Sequence, residues 1–168
     1  MTLAKARPTK SKPLKSHLAA DPQPQIDSFL AKFTPQVEKL GRAALGKMRK
    51  RLPNAIEFVY DNYNALVIGF GPNERPSDAI FSLVLYPRNL ALCFLQGAKL
   101  PDPHKRLKGS GSVARHVPLD DLDVLEDVQI RALMQEALRR AKVQMDPKQK
   151  RKLVIRSISA KQRPRRPA

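Results

Sequence analysis

Apolar residues change their period twice along the chain, and the changes divide it into elements. Ile26, Phe29, Leu30, Phe33, Val37, Leu40, Ala44 and Met48 recur at three- and four-residue spacing, which places them on one helical face. Thr34-Pro35 supplies a capping hydroxyl and then a residue with helical φ already set, so the pattern predicts a short helix followed by a longer one ending near Pro53. Beyond it come short apolar runs at 55–60, 65–70, 79–86 and 90–95, separated by clusters of Asp, Asn, Gly and Pro. Four such runs with short links predict an antiparallel meander. Pro87-Arg88-Asn89 fits a tight turn and residues 71–77 a longer connection. Residues 113–119 fit a fifth strand. The helical period then returns at Ile130, Leu133, Met134, Ala137, Leu138, Ala141 and Met145, predicting a helix over 127–145 that closes over the sheet. Residues 152–159 are rich in β-branched side chains and read as a late strand.

These elements define an α+β class: two layers, with an antiparallel sheet of about five to six strands packed against N-terminal and C-terminal helices. A chain of 168 residues is enough for one domain that buries about two-thirds of its unfolded surface. Residues 1–25 are rich in Pro, Lys, Ala and Ser without apolar period, so a disordered basic arm is expected there. The domain is expected at 26–159 and a basic, proline-broken tail at 160–168. No internal repeat is visible.

Charge sharpens the division. The net charge is +17, and it is uneven: residues 1–20 hold five Lys or Arg and no acid, and residues 146–168 hold nine against one. Nucleic-acid association through the basic ends is therefore one expectation, although no RNP, helix-turn-helix or zinc-finger signature accompanies it. The N-terminal residues contain no continuous apolar run, which argues against a secretory signal or membrane anchor. Pro8 and Pro13 oppose an amphipathic transit helix. Cys93 is the only cysteine, so no internal disulfide forms, and a cytoplasmic location is expected.

Candidate chemistry is sparse. Gly41-Arg42-Ala43-Ala44-Leu45-Gly46-Lys47 approaches a phosphate-loop spacing, but Met48 follows where a hydroxyl should bind Mg²⁺, and the run sits within a helical pattern. His17, His104 and His116 are too scattered for a metal site, and Cys93 sits in an apolar strand. No nucleophile, base and orienting group assemble, so neither an enzyme nor a cofactor is expected.

Two constellations remain. Asp120, Asp121, Asp123, Glu126 and Asp127 could offer hard oxygen ligands to a cation, or simply cap the helix that follows. Lys108-Gly109-Ser110-Gly111, with Arg115 close behind, could converge amides and a guanidinium fork on an anion, or be a plain loop entering a strand. Arg115 and His116 must point to opposite faces.

Several stretches resemble a known family. They are Phe94-Leu95-Gln96-Gly97-Ala98-Lys99-Leu100-Pro101-Asp102-Pro103, then Leu107-Lys108-Gly109-Ser110-Gly111, then Arg115-His116-Val117. Tyr60-Asp61-Asn62-Tyr63-Asn64 and the ending at 159–167 look like a bacterial subgroup of it. The chain resembles the YdhG-like domain family, domain of unknown function 1801, over about residues 26–167. The resemblance implies a small α+β domain with helices on an antiparallel sheet and, for those members described as frataxin-like iron chaperones, iron delivery. The chain departs from the family at Ser112, where lysine often follows the second glycine. The leading expectation is a binding module for a small molecule or protein partner with its site at the 108–116 loop. The alternatives are an iron chaperone using residues 120–127 and nucleic-acid association through the ends.

Overall fold

Thr34 caps the longest helix, α2 (Pro35–Arg51), by accepting a hydrogen bond from the Val37 amide, and Pro35 fills a first position that needs no amide donor. Helix α1 (Gln23–Leu30) begins after Pro22, whose φ of −75° already suits a helix, so it starts three residues before the first residue of the apolar stripe. The structure, a computed structural model, describes residues 21–167. The expected disordered arm lies mostly outside those residues, and its last part, from Gln23, is helical.

Strands β1 (Ile56–Asp61), β2 (Leu66–Gly71), β3 (Phe81–Leu85), β4 (Leu90–Phe94) and β5 (Arg115–Pro118) form the antiparallel meander that the apolar runs predict. β6 (Lys152–Ile158) returns to lie parallel to β1, which makes the order β5-β4-β3-β2-β1-β6. A bulge opposite Val59 and Tyr60 leaves Arg156 without a register partner.

Alternation along the strands sends Val59, Leu66, Ile68, Phe70, Leu83, Leu92 and Val117 to one face. There they join Ile26 and Leu30 of α1, Ala44 and Met48 of α2, and Ile130, Leu133 and Met134 of α3 (Val128–Arg140) in one core. The protein is thus a two-layer α+β fold. α3 is shorter than its stripe predicts. Ala141 turns extended, with ψ 132°, and the Gln144 side-chain amide donates to the carbonyls of Arg139 and Ala141, which satisfies groups a longer helix would have used. Ala141 and Met145 still pack against the core from outside the helix. Among the described residues no helix is long and apolar enough to cross a membrane.

Candidate functional site

The loop before β5 is closed at its base. The Lys108 amide donates to the His116 carbonyl at 2.8 Å, and the His116 amide returns the bond to Lys108 at 2.9 Å. Gly109 has φ +119°, a conformation L side chains avoid, so this glycine is needed by the turn itself. Lys108, Gly109, Ser110 and Gly111 share the exposed loop with Arg115 at its edge. Arg115 turns one arm of its guanidinium back onto the loop. Its Nη1 donates to the Ala114 carbonyl at 2.7 Å and to that of Gly111, so the guanidinium braces its own loop. Gly97 is required by the close approach of β5, because a Cβ there would lie 2.6 Å from Arg115 Cβ.

The acidic stretch spreads rather than converges. Asp121 caps the 3-10 turn Leu122–Glu126 by accepting from the Asp123 amide at 2.8 Å. Asp127 caps α3 through the amides of Gln129 and Ile130 and also accepts from Arg106 at 2.9 Å. That guanidinium, helped by the two amides, holds the Asp127 carboxyl below its ordinary range. Glu126 is likewise held low, first by its bond from Lys47 at 2.8 Å and then by Arg51 and Arg131. Asp120 and Asp123 are exposed. Among the described residues no three His, Cys, Asp or Glu side chains are placed to hold a metal ion, and caps and ion pairs account for Asp121, Glu126 and Asp127. Gly41 lies inside α2, where a Cβ would meet Leu85 Cδ2 at 2.6 Å. Its role is close helix-to-sheet approach.

Two residues that composition did not single out organise the opposite edge. Glu57 and Asp61 lie on the helix-facing side of β1 with Val59 between them, and both are fully buried. Buried carboxylates must be paired. Glu57 accepts from Arg49 Nε of α2 at 2.8 Å and from Arg151 Nη1, just before β6, at 3.2 Å. Asp61 accepts from Lys32 Nζ at 2.8 Å and Arg165 Nη2 at 2.9 Å. Burial pushes the Asp61 carboxyl up, but the bonds from Lys32, Gln162 and Arg165 outweigh it and hold the group below its ordinary range.

Arg165 changes the expected picture of the C-terminal tail. Residues 160–167 do not extend from the body; they cross the end of the sheet and bury an arginine that is 4% exposed. Arg165 also donates to the carbonyls of Asn62 and Tyr63 and stacks over Phe33, 5.5 Å from the ring centre. Arg166 donates to the carbonyls of Ala31 and Phe33 just beyond α1, and the Arg163 amide to Tyr63 at 2.8 Å. The signal was present in sequence: in Ile56–Asp61, alternation sets Glu57 and Asp61 on the face of Val59, where each demands a cation.

With the segment docked, its remaining cations become a fixed surface. Lys148, Lys150, Arg156, Lys161 and Arg163 are exposed, and among the described residues none makes an ion pair. No Asp or Glu occurs from 147 to 168. The acidic stretch follows β5, at the opposite edge of the sheet. The unpaired cations therefore gather along the β6 edge, whereas Glu126 and Asp127 beyond β5 are matched by Lys47, Arg51, Arg131 and Arg106. A separate cleft of about 390 Å³ lies between Ile80, Phe94 and Leu100 and the end of α3. Its Arg140 is held by Glu136 and by the Lys99 carbonyl. No family model matches the chain, and no curated protein or solved structure matches it.

Proposed function

We propose that the chain is a nucleic-acid-associated binding module that holds phosphate backbone along β6 and the docked C-terminal segment. One observation carries the reading: Lys148, Lys150, Arg156, Lys161 and Arg163 are exposed and unpaired among the described residues, with no acid from 147 to 168, and the backbone that bears them is fixed to the edge of the sheet. Such a row neutralises successive phosphates and releases their counterions, which drives binding without reading sequence. At the 108–116 loop, by contrast, Arg115 commits its Nη1 to the carbonyls of Gly111 and Ala114. The YdhG-like resemblance stands beside this as a proposal of family, supported by the quoted motifs and the α+β architecture.

Fluorescence anisotropy with a labelled DNA duplex, repeated over a range of salt, tests the reading. Replacing Lys148, Lys150, Arg156 and Lys161 by Glu removes four exposed cations and should flatten the slope of log K against log salt by about 3 to 4. Whatever residues 1–20 contribute is common to both proteins. Truncation is the wrong test, because it also strips Arg165 from Asp61. An unchanged slope in the fourfold variant would overturn the proposal.

A further inference from the structure

Tyr63 and Tyr86 are exposed at 54% and 41%, and they are two of only three tyrosines in a chain without tryptophan. Register brings them to the same end of the sheet. Asp61 pairs with Leu66, Leu66 with Leu85, and Leu85 with Leu90, so the β1–β2 turn bearing Tyr63 and the β3–β4 turn bearing Tyr86 project together. The docked segment crosses this end. It leaves a recess of about 490 Å³ between Tyr86, Arg88 and Asn89 on one side and Arg163, Pro164 and Pro167 on the other. Arg88 and Arg163 are exposed, and neither has a carboxylate partner among the described residues. The recess continues the cationic row of β6 through Lys161 and Arg163.

Aromatic rings beside arginines at the end of a phosphate-binding row suit one class of ligand. A base in a duplex is stacked on its neighbours and offers no free face, whereas an unpaired base can stack on a tyrosine while flanking arginines hold its phosphates. A recess of this volume is in the range of small-ligand pockets, large enough in volume for a nucleobase with its sugar. Resting on the proposed nucleic-acid function, we infer that the preferred ligand is a single strand. Its bases stack on Tyr63 and Tyr86, and its phosphates are held by Arg88, Lys161 and Arg163.

The test is anisotropy of the full chain with labelled oligothymidylate and oligouridylate of about twenty nucleotides, and with a duplex of the same length, all in one buffer. The two oligomers distinguish DNA from RNA as the source of the strand. Single strands should bind more tightly than duplex, and Tyr63→Ala or Tyr86→Ala should each weaken single-strand binding about 5- to 150-fold. Duplex affinity should not change, and Tyr63→Phe and Tyr86→Phe should retain single-strand binding, which separates loss of stacking from loss of fold. Salt-dependent binding that ignores both tyrosines, or that falls equally on strand and duplex, would overturn this inference and leave the proposed function standing. Absence of binding to either would overturn both.

Discussion

Replacing Arg165 by Met should unfasten the C-terminal segment while keeping most of the apolar contact over Phe33. The substitution takes from Asp61, which is fully buried, one of its two cations, and it leaves the Asn62 carbonyl without its guanidinium donor and the Tyr63 carbonyl with the Arg163 amide alone. Removing one partner of a buried pair costs about 3 to 5 kcal/mol. Lys32 remains at 2.8 Å but is 40% exposed, and Arg165 Nε, buried without a partner, no longer has to be desolvated. Both offsets point to the lower end, about 3 kcal/mol, or a fall in Tm of roughly 6 to 12 °C for a domain of this size. Urea and thermal unfolding measure it. Asp61→Asn combined with Arg165→Met should cost less than the two single losses added, since no unpaired charge is then left inside. The pH dependence has a definite sign. The Asp61 carboxyl is held below its ordinary value, so the stability it contributes is complete above the unfolded pKa, near 3.9, and is lost as pH falls through the lower folded value. The gap between wild type and Arg165→Met should narrow on acidification. A loss under about 0.5 kcal/mol, within the range of an ordinary surface change, would refute the buried latch, as would a gap that ignores acid.

Two glycines should respond with opposite signs. Gly97→Ala puts a Cβ 2.6 Å from Arg115 Cβ and 3.0 Å from its backbone nitrogen and should destabilise by about 1 to 3 kcal/mol. Gly46→Ala, within α2 and facing open space, should stabilise by about 0.4 to 1 kcal/mol; thermal melts read both. Glu136 is pulled from an ordinary 4.5 to about 2 by its bonds from Arg139 and Arg140. Its side-chain carboxyl ¹³C signal should therefore titrate near that value, and its contribution to stability should persist above 4.5 and disappear as pH falls through about 2.

The helices and the meander were legible because their signals are local. Thr34-Pro35 marks a helix start by its own chemistry, and the short apolar runs from Ile56 to Phe94 need only their neighbours to pair. The position of β6 was not legible, since a parallel partner is chosen by the distant β1 and nothing within residues 152–158 names it. The fate of the tail was hidden for a related reason. A run of Arg, Gln and Pro looks solvated when read alone, and only a carboxylate more than a hundred residues earlier turns one arginine inward. The acidic and glycine stretches were visible as clusters, but clustering in sequence does not bring side chains to one point. Helix caps took Asp121 and Asp127, cations took Glu126, and loop carbonyls took Arg115.

The most direct measurement is chemical-shift mapping of the ¹⁵N-labelled full chain titrated with oligothymidylate at low salt. Within residues 21–167, binding along β6 and the sheet end predicts shifts confined to residues 148–166, Arg88, Tyr63 and Tyr86, with the amides of β5 and of residues 120–127 unmoved. Shifts centred on the 108–116 loop or the acidic stretch, or none at all, would contradict it.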